Sequence, residues 1–242
     1  MKKEPSRLLA LSDGLFATVL TLLVLDLRMP AAATGTSQTF QDFARWLGPH
    51  LFSYILTFLV AGTYWLSHHR YFDQVARYDN GLLRYNLLFL LFIGLFPFTT
   101  ALISSFGGIK SGDFPLYWAI YAGNVLAAGV MMTLIWNYAV THGLTTGEIS
   151  RRESRHNSVR MIVIPLVFLV SIAAEFLFPQ IYLGPYILMT IPMILWIIDR
   201  RYDPRDARKA EPGSSRREFL WRAGSVVPWL LVFGLALWCA NL

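Results

Sequence analysis

Residues able to do chemistry are few in this chain, and most sit inside apolar runs. Arg7, Ser12, Asp13, Thr18, Thr21 and Asp26 fall in or beside the first run, Leu8 to Leu27. His68 and Asn86 flank the junction of the second and third runs, and Glu175 lies within the fifth. Ionisable groups in a spanning segment are costly, and they mark ion paths, proton relays or buried pairs. Arg7 and Asp13 are six residues apart, so they occupy different faces of one helix. They are better placed to bond neighbouring helices than each other. A buried carboxylate needs partners. His68 and Asn86 are candidates, His69 is the adjacent alternative, and snorkelling to headgroups is the other reading. Thr18 and Thr21 either offer oxygens to a passing ion or bond back to carbonyls of their own helix. Asp26 is either one member of an acidic ring that favours cations or a solvated helix end. Glu175 faces either a subunit contact or a proton path.

No arrangement points to catalysis. There is no HExxH, CxxC, GxSxG or glycine-rich phosphate loop. His50, His68, His69, His142 and His156 lack metal-ligand spacing. The expectation is a protein that is not an enzyme and needs no cofactor.

The elements that must position these residues follow from composition. Of 242 residues, 55% are hydrophobic and 15% charged, against about 25% charged in a soluble domain. A disordered chain is excluded on the same ground. The one cysteine, Cys239, excludes a disulfide scaffold. A net charge of +6 raises nucleic acid as a partner, but no recognition motif accompanies it. The fold class expected is an all-α membrane protein in a lipid bilayer.

A spanning helix needs about 20 apolar residues. Six runs qualify: Leu8 to Leu27, Leu47 to Leu66, Leu82 to Ile103, Pro115 to Val140, Met161 to Phe178 and Ile181 to Ile198. A further run, Ala223 to Ala240, contains Pro228 and either spans or lies at the interface. Eighteen basic residues fall on one side of this arrangement; Arg28, Arg45 and Lys110 fall on the other. The positive-inside rule then puts the N-terminus in the cytoplasm, in a multi-pass protein of the plasma membrane. The first run is of full span length and lacks a small-residue cleavage site, so it reads as a retained helix. Asn124 and Asn137 are expected to bridge helices. Trp118, Trp136, Tyr64 and Tyr117 are expected in interface belts.

Arg7-Leu-Leu-Ala-Leu11-Ser12-Asp13 resembles the Arg-x-x-x-Phe-Ser-Asp signature of the lysosomal potassium channel family known as transmembrane protein 175, in its bacterial single-repeat form. Leu11 stands where phenylalanine is usual. Trp65, His68 and Phe72 match a Trp-x-x-His-x-x-x-Phe pattern, and Asn86 opens a segment similar to the family's third span. The resemblance covers about residues 5 to 200. It implies a potassium-permeable cation channel, a homotetramer with six transmembrane helices per subunit and a pore lined by the first helix. Domain limits follow: 1–200 for the six-span repeat, 201–222 for a basic cytoplasmic segment and 223–242 for the apolar C-terminal segment. Arg7, Ser12, Asp13, His68 and Asn86 form the signature network. The family's three apolar pore layers fall on Thr18, Leu22 and Leu25, and its threonine on Thr21; Thr18 is a departure from an apolar residue.

No Thr-Val-Gly-Tyr-Gly filter is present, so selectivity has to come from side chains. At 100° per residue, Leu22 lies about 40° from Thr18, Leu25 about −20°, Leu11 about 20° and Thr21 about −60°. These residues make one helical stripe. Its leucines are either a gate or ordinary packing. A proton-coupled secondary transporter or proton-conducting channel is the alternative function. Carriers show broken helices near the midplane, whereas this first run has no Pro or Gly from Leu15 to Leu27.

Overall fold

A computed structural model describes residues 6–27, 39–106, 113–146, 151–178, 183–188 and 190–201. Arg28, Lys110, the basic stretch beyond Arg201 and the apolar run Ala223 to Ala240 lie outside the described residues.

The chain is built of helices: α1 (Ser6–Leu23), α2 (Phe40–Phe72), α3 (Asn80–Gly94), α4 (Phe96–Ala101), α5 (Phe114–Thr141), α6 (Arg151–Leu177), α7 (Leu183–Ile187) and α8 (Thr190–Arg201). A 3-10 turn, Val24–Leu27, continues α1, and a π-helical turn, Leu102–Phe106, continues α4. Among the described residues, four segments are long and apolar enough to cross a membrane: Ser6–Leu27, Asn80–Ser104, Phe114–Thr141 and Asn157–Leu177. The protein is therefore an integral membrane protein. α2 has 33 residues, ample length for a bilayer, but Ser53, Thr57, Thr63 and Ser67 interrupt its apolar character. In the sixth apolar run the described residues include two short helices, α7 and α8.

Local signals explain the boundaries. Thr39 and Asp42 form a reciprocal capping box at the start of α2. Asp79 caps α3 by accepting the Leu82 N–H at 2.8 Å. Pro97 cannot donate a backbone hydrogen bond, so the third span breaks at Leu95. Asn124 of α5 reaches across this break and donates to the Phe92 carbonyl at 3.1 Å. It thus bridges helices as expected; Asn137 is exposed. Gly143, with φ +60°, ends α5.

α5 is the central helix. Trp118 and Trp136 on it are fully buried, and Tyr64 nearly so. These three belong to the core, which corrects their assignment to interface belts; Tyr117 is half-buried. The Tyr64 hydroxyl donates to the Val125 carbonyl at 2.8 Å. Gly129 of α5 lies against Pro165 of α6 and the Tyr64 hydroxyl, leaving no room for a Cβ.

The ends of the helices sort into two layers. The start of α1, the end of α2, the start of α3 and the end of α5 meet at one end, where Ala76 donates to the Leu144 carbonyl at 2.9 Å. The loop carrying Arg77 therefore abuts the loop that follows α5, as the alternation of basic loops demands. Asp79 ties the same end together by accepting from the Tyr138 hydroxyl at 3.0 Å.

That last contact yields a pH prediction. The Leu82 N–H first, and then the Tyr138 hydroxyl, hold the Asp79 carboxyl below the usual carboxylate range. A lowered folded-state value means the stabilisation is present above the ordinary range and is lost as pH falls through the lowered one. Asp79→Ala is expected to cost about 1 kcal/mol at neutral pH, as the loss of a cap does. The gap in Tm from wild type should narrow in acid. A gap that stays constant to the acid limit of folding would show that the charge contributes nothing.

Candidate functional site

The site begins with which face of α1 its own chain covers. Leu8, Ser12, Phe16, Val19 and Leu23 are buried against α2 and α3. Their spacing of three and four is that of one helix face. The opposite face is uncovered: Arg7, Leu11, Thr18, Thr21, Leu22 and Leu25 are all exposed, with Leu11 at 52%, Leu22 at 43% and Leu25 at 47%. The stripe expected from spacing is thus the face the protomer leaves bare.

Both threonine hydroxyls on that face point their protons back into the helix. Thr18 donates to the Gly14 carbonyl at 2.9 Å and Thr21 to the Thr18 carbonyl at 2.8 Å. The two readings of these residues are therefore compatible. A hydroxyl whose proton is committed inward still offers oxygen lone pairs outward.

The 3-10 turn alters the geometry of the stripe's outer end. Winding tightens to about 120° per residue there, so residues three apart eclipse. Counting 100° per residue to Leu23 and 120° beyond, Leu25 falls about 20° from the Thr18 direction and within about 20° of Leu22. The two leucines thus leave the helix in nearly the same direction. The same count turns Asp26 to about 140°, away from the stripe. It is half-buried and accepts from the Ser104 hydroxyl at 2.7 Å. Asp26 is thus held by the third span and does not lie on the bare face.

The signature residues form two connections. His68 Nε2 and Asn86 Oδ1 are 2.9 Å apart, Asn86 Nδ2 donates to Ser12 Oγ at 3.1 Å, and Ser12 donates to the Leu8 carbonyl at 3.0 Å. Because the Asn86 amide nitrogen is committed to Ser12, its oxygen faces His68, and His68 donates from Nε2. Phe72 and Phe89 stack on the His68 ring with centroids 4.2 and 5.6 Å away. This explains the aromatic four residues after the histidine. All three polar groups are fully buried, so the network pins α1 to α2 and α3.

Asp13 belongs to the second connection, not the first. Trp65 Nε1 donates to Asp13 Oδ1 at 3.0 Å at an exposed site. Trp65 in turn stacks on His69, which sits 3.8 Å from Asp73. The expectation that Asp13 bonds His68 or Asn86 is corrected: its neighbour Ser12 takes that place. Arg7 is exposed, and no ion pair joins it to Asp13 among the described residues.

Glu175 is fully buried and accepts the Gly184 N–H at 2.7 Å. A Cβ on residue 184 would meet Trp118 Nε1 at 2.6 Å and Glu175 Oε2 at 2.8 Å. Glycine is what allows α7 to close onto α6 there. Among the described residues no cluster of three His, Cys, Asp or Glu could hold a metal ion.

The fold and this site define a helical integral membrane protein whose first helix is locked to its neighbours on one face and bare on the other. Residues 7–97 match the model of the endosomal/lysosomal potassium channel TMEM175. The chain is 28% identical over 199 residues to a potassium channel of Chryseobacterium sp. strain P1-3, covering 81% of this chain and 95% of that one. It is 28% identical over 226 residues to the mouse endosomal/lysosomal proton channel TMEM175, covering 86% of this chain and 43% of that protein. It thus spans less than half the length of the mouse relative. The crystal structure of a lysosomal potassium-selective channel TMEM175 homolog from Chamaesiphon minutus superposes with a TM-score of 0.67 at 25% identity, over 82% of this chain and 97% of that one. The family match, the potassium channel relatives and the solved structure all point to the TMEM175 family.

Proposed function

We propose that this protein is a potassium-permeable cation channel of the plasma membrane, formed by four copies around a pore that α1 lines. The supporting observation is the bare face of α1. Arg7, Thr18 and Thr21 on it suit an aqueous path better than lipid, because polar groups facing hydrocarbon are costly. One helix cannot enclose a pore, and cyclic symmetry is the usual solution for identical subunits. In this reading each subunit contributes six transmembrane helices, with α7 and α8 forming the sixth, and the N-terminus lies in the cytoplasm. Leu22 and Leu25 make the hydrophobic constriction, Thr18 widens its inner side, and Thr21 supplies hydroxyl oxygens between layers. Asp26 lies behind the outer mouth, where its charge still raises local cation concentration. The names of the relatives, potassium channels among them, support the ion. The unbroken α-helix from Ser6 to Leu23 supports a channel over a carrier.

The test is recording from purified protein in planar bilayers with potassium and sodium on opposite sides. Unitary currents that reverse toward the potassium equilibrium potential are expected. Transport without unitary steps would favour a carrier, and a reversal that follows only the pH gradient would favour a proton conductor. Native mass spectrometry in mild detergent is expected to show the tetramer; monomers alone would count against it.

A further inference from the structure

A hydrogen bond joins Asp26, at the outer end of α1, to Ser104 of the third span, and neither side chain lies on the bare face. Ser104 is 5% exposed and donates to Asp26 Oδ2 at 2.7 Å, with the Ala101 carbonyl at 3.1 Å as its other acceptor. A hydroxyl has one proton. The shorter contact to a carboxylate is the stronger claim on it.

The local backbone explains why this serine is free to reach out. Thr100, in α4, gives its hydroxyl to the Phe96 carbonyl four residues back at 2.7 Å. Ser104 lies in the π-helical turn Leu102–Phe106, and its bond back to its own helix goes to the carbonyl three residues earlier, at 3.1 Å. π-Turns recur at functional positions.

Asp26 sits in the 3-10 turn whose tighter winding brings Leu25 to within about 20° of the Leu22 direction. A 3-10 turn has poorer hydrogen-bond geometry than an α-helix and is held by its surroundings. The turn packs against α2, and among the described side-chain hydrogen bonds the one from Ser104 is the one that reaches it. Resting on the reading of Leu22 and Leu25 as the constriction, we propose that Ser104 is a positioning residue for the gate: by holding Asp26, it fixes the rotation of the 3-10 turn that keeps Leu25 in line with Leu22.

In this role Asp26 acts as a hydrogen-bond acceptor more than as a charge. Asparagine keeps the acceptor and removes the charge, whereas leucine removes both. Serine-to-threonine keeps the donor, and serine-to-alanine removes it.

The experiment measures basal potassium current per assembled channel in bilayers at low and high salt. Ser104→Ala and Asp26→Leu are each expected to raise basal current about tenfold, the equivalent of losing one hydrogen bond to a charged group. Combining them should add little, because both break the same bond. Ser104→Thr should stay near wild type, and Asp26→Asn should lack the rise seen in Asp26→Leu, showing only the loss of current at low salt that its missing charge brings. If Ser104→Ala does not assemble, the Asp26→Leu and Asp26→Asn pair carries the test from the other end of the bond. Leu25→Asn is recorded alongside. Wild-type current in Ser104→Ala or Asp26→Leu while Leu25→Asn leaks would overturn the proposal and leave the gate intact. Wild-type current in Leu25→Asn would overturn the gate reading, and this proposal with it. Asp26→Asn matching Asp26→Leu, with current lowered only at low salt where charges are unscreened, would show that Asp26 acts through its field and overturn the latch.

Discussion

Leu25→Asn and Leu22→Asn channels are expected to carry a basal potassium current at least about tenfold above wild type, with the double variant higher still. Both leucines are exposed on the bare face of α1, and the 3-10 turn points them in nearly the same direction. Four copies of each would form two apolar rings, one above the other. Water leaves such a ring because wetting it exposes apolar surface, at about 2 kcal/mol for one leucine side chain. A dry ring stops an ion, which has to bring part of its shell with it. Asparagine is near leucine in size and holds water by hydrogen bonds, so the substitution changes wetting more than width. Neither side chain contributes to the buried face of α1, so the variants should assemble normally. The measurement is unitary current and open probability in potassium at fixed voltage. Unchanged current in both variants would move the constriction inward, toward Thr18 or Leu11.

How far the site was legible in the sequence depended on whether a residue's role was set by its own helix. The stripe on α1 obeys one helical period, so spacing grouped Leu11, Thr18, Leu22 and Leu25, but only the packing of Leu8, Phe16, Val19 and Leu23 against the other helices decided which face is bare. His68 and Asn86 were recognisable as partners for the start of α1 because each sits at the same end of its span. Which of Ser12 and Asp13 joined them was not recognisable. Consecutive residues point 100° apart, and only the approach of α3 on one side and Trp65 on the other decides between them. Trp118 and Trp136 read as belt residues because α5 is apolar on every side, so its sequence has no period to show that it is central; Tyr64, on α2, is buried because its hydroxyl meets α5 at the Val125 carbonyl. The rotation of Asp26 toward Ser104 depended on a change of winding after Leu23. No proline or glycine marks that change. The break at Leu95 was marked by Pro97, but the partner that satisfies the freed Phe92 carbonyl, Asn124, is 32 residues further on.

Thr21→Val is expected to assemble and conduct but to lose much of its preference for potassium over sodium. Thr21 lies one turn beyond Thr18 and one residue before Leu22, on the bare face. Its proton goes to the Thr18 carbonyl at 2.8 Å, so its oxygen presents lone pairs away from the helix. Four such oxygens next to the leucine rings would meet an ion where its water is thinnest. Potassium is larger and less tightly hydrated than sodium, and it gives up water for hydroxyl oxygens more readily. Valine matches threonine in shape and lacks only the hydroxyl. Losing the bond to the Thr18 carbonyl costs little, because a threonine bonding back in this way is neutral to slightly unfavourable for its helix. The readout is the reversal potential under bi-ionic conditions, which is independent of how many channels are present. It is expected to shift toward zero. Thr18→Val, recorded in the same way, separates the two hydroxyls: Thr18 also commits its proton inward, to Gly14 at 2.9 Å, but stands one turn further from the leucines. A full wild-type reversal potential in Thr21→Val with a shift in Thr18→Val would assign selectivity to the inner threonine. Wild-type values in both would remove hydroxyl oxygens from the account of selectivity and leave it to the width of the leucine rings.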